Sequence, residues 1–374
     1  MSAITVGYQD GCLAPLFVST LSVEQAVRMG VETVWLPDHF MGFVPRWMWR
    51  PDVCPAASVI HSGDALFDPV ALLGYLAARF PGLRLGTSVT EPIRRHPVSL
   101  AQSFVTLDHL TEGRAILGIG NGLRENTEPY GLPPTRRVAR LAEALEILRL
   151  LFASGGSPVD FAGRFFRLDG AVFDLPLYEG RPPRIFVGAH APRMLELTGR
   201  FADGWLPGQV VSGEEYGRRL EAIRSAAEAA GRSFDAFVPA QTLLLVLDES
   251  RDAALEKALA SPYVAYNALG LPGTVWREHG LAHPFGDEFA GQLELVPSRV
   301  SREDVDAAAR RMTAELLAEQ YYFGSPREIA AAAAPLAAAG CRHFILANVG
   351  GTFTGRGMAD FEAMAELARA LKRL

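Results

Sequence analysis

The chain has 374 residues, 49% of them hydrophobic and 21% charged, with a formal net charge of −6 at pH 7. That size and composition describe a globular chain with a large core, arranged as one large barrel or two ordinary domains. The acidic balance argues against nucleic acid or an anionic membrane as the main partner, and no apolar run approaches the roughly 18 residues that span a bilayer.

Strand and helix signals alternate from the start. Ile4 to Tyr8 reads as a strand, Ser22 to Met29 as a helix, and Thr33 to Leu36 as a second strand running into P-D-H-F. Residues 41–64 have no clean period and carry Trp47, Trp49 and several prolines, the marks of a long loop over a functional edge. A helix over Pro69 to Arg79 follows. Arg84 to Val89 is the third strand, Pro97 starts the next helix, and Gly113 ends that helical region. Ala115 to Ile119 is a continuous apolar run, as a parallel strand buried on both faces should be. These two strands and their helix form one right-handed βαβ unit within Leu83–Gly131.

Thr135 to Phe152 carries a helical stripe of Val138, Leu141, Leu145 and Leu148. Residues 154–183, with F-A-G-R-F-F-R-L-D, read as an inserted hairpin. Arg184 to Val187 is strand five, Pro192 to Arg200 a helix, and D-G-W-L-P strand six. A helix over Ser212 to Ala230, a long strand over Val238 to Leu247 and a helix over Arg251 to Ala260 come next. Residues 262–317 contain no core strand and read as a lid or a contact surface. Phe344 to Ala347 is strand eight, and a helix over Met358 to Leu374 ends the pattern. Eight strands alternating with helices predict a (β/α)8 TIM barrel, read as a single domain over 1–374 with insertions at about 41–64, 154–183 and 262–317. An open doubly wound sheet is the competing arrangement.

The opening M-S-A-I-T-V-G-Y has no basic region before an apolar run, so no signal peptide is expected. The three cysteines are far apart and fit a reducing cytoplasm. The eight histidines show no metal-binding spacing, so no metal is expected.

In a barrel the chemistry sits where strands end. Asp38 and His39 follow strand two, and a histidine there can move a proton or bond a cofactor. Gly118, Gly120 and Gly122 follow strand four, but Leu123 occupies the third glycine position of a dinucleotide fingerprint. Pro129, Pro133 and Pro134 also keep a helix from starting there. These glycines instead let a flat ring lie close to the strand ends. Gly188, Ala189 and His190 end strand five just before a helix whose free N–H groups suit a phosphate. Arg94, Arg95, Arg124 and Arg193 could receive an acidic tail or substrate. Glu91, Glu125 and Glu128 could act as acid or base, although glutamates in such loops are commonly exposed.

The stretch H-P-V-S-L-A-Q-S-F-V-T-L-D-H-L-T-E-G-R-A-I-L-G-I-G-N-G resembles the central signature of the luciferase-like flavin and deazaflavin oxidoreductase superfamily. W-L-P-D-H-F, G-T-S-V-T, G-A-H-A-P-R-M-L-E-L-T-G-R-F-A-D-G-W and F-G-S-P-R-E-I-A extend the resemblance over most of the chain. V-T-E-P-I-R-R-H-P, E-P-Y-G and F-D-L-P-L-Y are most similar to the coenzyme F420-dependent branch of phthiodiolone ketoreductase type. The resemblance implies F420, with FMN as the alternative, bound at the C-terminal edge of the barrel. It implies a non-proline cis peptide at Ser88-Val89 and a cofactor wall of Asp38, Ser88, Val89, Thr90, Asn121 and Asn126. Gly188, Ala189 and His190 match the segment that binds the phosphate end of the cofactor.

His39 matches the catalytic histidine of the family. Leu123 stands where these relatives keep a glutamate acid, and Phe43 where the sugar-phosphate dehydrogenases keep a tryptophan. Phosphorylated sugars are therefore disfavoured. Phe43, Leu123, Tyr263 and Trp276 become the expected contacts to an apolar, lipid- or polyketide-like substrate. The expected activity is hydride transfer between C5 of F420 and a carbonyl or related C=X group. An FMN-dependent monooxygenase and a non-catalytic ligand-binding barrel are the alternatives. The resemblance also implies a homodimer.

Overall fold

Eleven strands form in the computed structural model, which describes residues 3–133, 135–208 and 211–374. They are β1 (Thr5–Gln9), β2 (Thr33–Leu36), β3 (Arg84–Thr87), β4 (Ala115–Ile119), β5 (Val159–Ala162), β6 (Arg167–Ala171), β7 (Arg184–Val187), β8 (Gly204–Trp205), β9 (Val238–Leu247), β10 (Tyr322–Gly324) and β11 (His343–Asn348). Eight of them run parallel in the order β9-β11-β1-β2-β3-β4-β7-β8, and pairing of β8 with β9 closes the ring. This closed barrel with surrounding helices is the (β/α)8 arrangement, and it removes the open-sheet alternative. Closure leaves no unpaired edge. The expected hairpin is β5 paired antiparallel with β6.

Two layers of apolar side chains hold the barrel. Trp35, Ile116, Phe186, Leu206, Ala240 and Ile345 fill its interior, with Val89 packed against them. A larger layer lies between the strands and the outer helices. The glycines of β4 and its loop are explained by close approach. A Cβ on Gly118 would sit 1.7 Å from the Thr87 carbonyl oxygen, and one on Gly120 would sit 2.7 Å from Val89 Cγ2. Any side chain at Gly118 would push β3 and β4 apart.

Several element boundaries differ from the sequence reading. β3 stops at Thr87, and the Ser88-Val89 peptide beyond it is cis. The helix expected from Thr135 begins at Arg137, after Arg136 takes a left-handed φ of 57°. Pro134 lies outside the described residues, as do residues 1 and 2 of the opening segment. β10 carries no strand signal of its own. It is three residues long and extends the far end of β9, Tyr322 opposite Leu245. The helix Pro326–Ala338 that follows was also not expected. Its Ser325–Glu328 capping box is plain in the residues.

Residues 262–317 form a cap of short helices, Pro262–Ala268, Gly273–Glu278, Arg302–Ala309 and Ala314–Ala318. Its own apolar cluster includes Tyr266, Leu269, Trp276, Leu316 and Leu317, and takes in Val44, Met48, Val53 and Cys54 from the 41–64 loop. Polar ties join the cap to that loop and to the β4 loop. Trp47 Nε1 donates to the Val300 carbonyl at 3.1 Å, Arg299 pairs with Glu128 at 2.8 Å, and Arg137 donates to the Leu293 carbonyl at 2.9 Å. The excursion is therefore packed against the 41–64 loop and tied to the segment that follows β4.

Candidate active site

Four adjacent strands, β2, β3, β4 and β7, deliver their C-terminal loops to one side of the barrel mouth. The loop after β2 brings Asp38 and His39, the loop after β3 brings residues 88–95, and the loop after β4 brings residues 120–126. The register that aligns β2 with β3 and β3 with β4 sets these loops side by side.

Asp38 is the structural hub. It is 2% exposed, and its carboxylate accepts from Thr90 Oγ1 at 2.6 Å, Arg95 Nε at 2.7 Å, Arg94 Nη1 at 3.1 Å and Arg95 Nη2 at 3.1 Å. Burial works to raise the Asp38 pKa, but the Arg95 hydrogen bonds and the charges of Arg94 and Arg95 outweigh it and hold the pKa below its ordinary value. Arg94 also pairs with Glu91 and lies over the Phe40 ring at 4.7 Å. Asp38 and Thr90, expected to line a ligand, instead sit behind the surface and engage each other. Arg94 and Arg95 are likewise not free to receive an acidic ligand, because Asp38, Glu91 and Asp68 neutralise them. Arg124 pairs with Glu128. Arg193 is exposed at the start of the helix Pro192–Phe201.

His39 stands on this base. Its side chain is 8% exposed and its Nδ1 lies 2.9 Å from Glu125 Oε1. The edge of its ring meets Phe43, with centroids 4.2 Å apart. Asn126 fixes the same loop. Its Oδ1 accepts from the Phe40 N–H at 2.9 Å, and its Nδ2 lies 3.0 Å from the Asp38 carbonyl and 2.9 Å from His39 Nδ1. Asn126 is 2% exposed and supports His39 from behind.

Glu125 is the residue that sequence reasoning underrated. It is fully buried, whereas its loop suggested an exposed glutamate. One oxygen meets His39, and the other, Oε2, is buried without a hydrogen-bond partner among the described residues. Glu91 is buried too, but Arg94 and the Ile93 N–H engage it. Leu123 and Asn121 are half-buried beside this group.

Val89 forms the centre of the mouth. Built Cβ atoms on Gly120 and Gly188 would both approach its side chain, at 2.7 and 3.5 Å, so the ends of β4 and β7 close on it from two sides. In the loop after β7, Ala189 is buried and its carbonyl accepts from Trp205 Nε1 at 2.8 Å. His190 Nδ1 is shut off from solvent without a partner among the described residues. Burial, with the charge of Arg219, pushes the His190 pKa down to about 4.

The cap supplies the aromatic side. Tyr266 and Tyr321 are buried, and neither hydroxyl has a partner among the described residues. Burial, reinforced by Tyr263 and by Glu125, raises the Tyr266 pKa well above its ordinary value. Trp276 is corrected. It is fully buried in the cap and donates Nε1–H to the Ala268 carbonyl at 3.1 Å, so it packs the cap core rather than facing a substrate. Tyr263 stacks on Phe353 with centroids 5.8 Å apart and also belongs to that core. A ligand-facing tyrosine and a core tyrosine have the same local sequence signal, so only burial and partners separate them.

Among the described residues no cluster of histidine, cysteine, aspartate and glutamate could hold a metal ion, and no helix is long and apolar enough to cross a membrane.

Comparison with known proteins extends over nearly the whole chain. A family model described as luciferase-like monooxygenase matches residues 22–343. A phthiodiolone/phenolphthiodiolone dimycocerosates ketoreductase of Mycobacterium tuberculosis is 40% identical over 354 residues, 93% of each chain. An F420-dependent glucose-6-phosphate dehydrogenase of Kineococcus radiotolerans is 34% identical over 238 residues, 62% of this chain and 64% of that one. Among solved structures, an F420-dependent secondary alcohol dehydrogenase in complex with an F420-acetone adduct superposes with a TM-score of 0.76 at 20% identity, covering 99% of both chains.

Proposed function

Because the chain belongs to the luciferase-like monooxygenase family, we propose that its barrel mouth reduces a carbonyl with coenzyme F420, beneath an apolar cap that selects a lipid-like ketone. The protein is an F420-dependent oxidoreductase of ketoreductase type, like the relatives it matches over most of its length. The observation that carries the finer reading is the buried His39–Glu125 pair, held at 2.9 Å beside the Val89 platform and under the cap tyrosines.

The residues of the mouth fit such a cofactor. Val89 offers an apolar surface for a flat ring, with glycines on both sides that leave room for it. His190 Nδ1 and Glu125 Oε2, in the loops after β7 and β4, are buried polar atoms without partners among the described residues, and such atoms are costly unless a ligand or water meets them. Ser88, Val89, Asn121 and Gly188 to His190 would hold the cofactor, with Asp38, Thr90 and Asn126 bracing that wall from behind. When bound, reduced F420 supplies the hydride.

The protein's own share is positioning, exclusion of water and proton supply. Asp38, Arg94 and Arg95 fix the β2 and β3 loops, so His39 keeps one place. Phe43 and the cap screen that place from bulk water, which strengthens each polar interaction inside. His39 Nε2 makes no hydrogen bond among the described residues and can donate to the oxygen of a carbonyl as negative charge develops there. Leu123 contributes only apolar surface, and the substrate it favours is apolar too. Arg94, Arg95 and Arg124 are already paired with carboxylates, which disfavours a phosphorylated sugar. We place the protein in the cytoplasm, in keeping with three free, buried cysteines. We place it as a homodimer through the exposed Phe17 and Leu21 of the helix Leu16–Arg28.

The test is direct. Purified protein is titrated with F420 and with FMN, and long-chain ketones are then added to the reduced F420 complex. Binding of F420 in preference to FMN, with ketone-dependent oxidation of reduced F420, is expected. Binding of FMN alone sinks the reading. His39→Ala should lower kcat by about 100-fold or more, the size of a lost general acid, with F420 affinity nearly kept.

A further inference from the structure

His39 Nδ1 is touched by two groups of opposite character. Glu125 Oε1 lies 2.9 Å away and, as a carboxylate, can only accept. Asn126 Nδ2 lies 2.9 Å away and can only donate. The Asn126 amide cannot turn over to relieve this, because its Oδ1 accepts from the Phe40 N–H and its Nδ2 donates to the Asp38 carbonyl. A ring nitrogen carries one hydrogen or one lone pair, so it satisfies one neighbour at a time. When Nδ1 bears hydrogen, it donates to the Glu125 carboxylate and the amide serves only Asp38. When Nδ1 is bare, the Asn126 N–H meets it and Glu125 carries the proton. These two arrangements hold the same number of protons.

Nothing else competes for the carboxyl. Glu125 is fully buried, has no other ion-pair partner among the described residues, and leaves Oε2 without one. The remaining acidic residues of the mouth are engaged, Asp38 and Glu91 by Arg94 and Arg95, and Glu128 by Arg124 and Arg299.

We propose that Glu125 and His39 form a two-residue proton store for carbonyl reduction, in which Glu125 holds the second proton and Asn126 makes both proton positions available. The proposal rests on the carbonyl-reduction reading given above. Where bound F420 would supply a hydride to the carbonyl carbon, the C=O π pair would move onto oxygen, and that oxygen would take the Nε2 proton of His39. The Nε2–H bond breaks and its electron pair stays on the ring. The proton shared by Glu125 and Nδ1 settles on Nδ1, leaving a neutral imidazole that donates to the Glu125 carboxylate. One proton from water restores the pair. His39 is the catalytic residue and Glu125 acts through it. Asn126 positions both.

Two measurements test this. The first needs no cofactor and follows the His39 ring-nitrogen NMR signals against pH in wild type, E125Q and E125D. The expected result is one titration shared with the carboxyl in wild type and E125D, and loss of that coupling in E125Q. The second follows oxidation of reduced F420 by a ketone. E125Q is expected to lose about 100-fold in kcat and to change the pH profile, with the F420 dissociation constant within about twofold and activity partly rescued in E125D. Identical His39 titration in wild type and E125Q overturns the proposal, even if E125Q is slow. Should E125Q not fold, the shared titration in wild type alone decides. If F420 binds but no ketone oxidises its reduced form in wild type, the carbonyl reading fails, and the NMR result still decides the pairing.

Discussion

The two sides of the barrel mouth are built differently. On the side of β2, β3 and β4, charged groups hold the loops, and Asp38 alone gathers two arginines and a threonine. On the cap side, buried aromatic rings pack on one another, and the Tyr266 and Tyr321 hydroxyls have no partner among the described residues. The first side resists any change in position, because moving one group strands several others. The second is held by contact area, which tolerates changes of shape better than changes of volume. Proton chemistry needs fixed distances, whereas an apolar substrate needs a fitting surface. The division of labour follows from what each kind of contact can hold.

The strongest way to break this contrast is at its hub. Asp38→Ala leaves the buried Arg94 with only Glu91 and Arg95 with only Asp68, and should cost about 3 kcal/mol of stability, the lower end for buried pairs that lose one member. Chemical denaturation measures it, and a cost below about 1 kcal/mol would mean that the charged side is not the rigid one.

Trp276→Ala probes the other side. It removes the largest fully buried cap residue and should cost about 3–4 kcal/mol through the cavity left behind. Limited proteolysis should then cut first within residues 262–317. Cutting that begins in the barrel helices instead would show that cap and barrel share one stability.

Acid should loosen both sides. His343 packs inside the barrel between Thr5 and Thr33, and burial, with the charges of Arg84 and Arg184, pushes its pKa down to about 3. His283 in the cap is lowered by burial as well. A histidine with a depressed folded pKa binds its proton only after unfolding. Stability is therefore full above the unfolded value near 6.5 and falls as pH drops below it. His343 should contribute a slope of about 1.4 kcal/mol per pH unit between roughly pH 6 and 4. Thermal melts across that range read it, and His343→Gln should flatten the curve.

The smallest effect belongs to Tyr266→Phe. Its hydroxyl has no partner to lose, so stability should stay within about 0.5 kcal/mol or rise. Affinity for a ketone is the sharper readout, since a changed KM with an unchanged melt would place that hydroxyl against the substrate.

Much of the barrel was legible in the residues because its signals are local. Ala115–Ile119 reads as a buried strand from five side chains alone, and Val238–Leu247 has the bounds its pattern predicts. β10 was not legible, since three residues of strand depend on a neighbour, here the far end of β9. The same distinction runs through the site. His39 was readable because it follows a strand, and strand ends meet at one edge of any barrel. Trp276 was misread because an aromatic residue in a long excursion looks the same whether it faces a ligand or its own core.

What the sequence by itself determined is the alternation of eight strands with helices and the placing of His39 at a strand end. These follow from periodicity, turn chemistry and residue type, all of which act over a few neighbours. Only the tertiary structure decided that Glu125, 86 positions from His39, is buried against its Nδ1. Only it showed that Arg94 and Arg95 are neutralised by Asp38. Burial and charge pairing depend on which loops the closed ring of strands brings together, and that closure joins residues too distant in the chain for any local pattern to record.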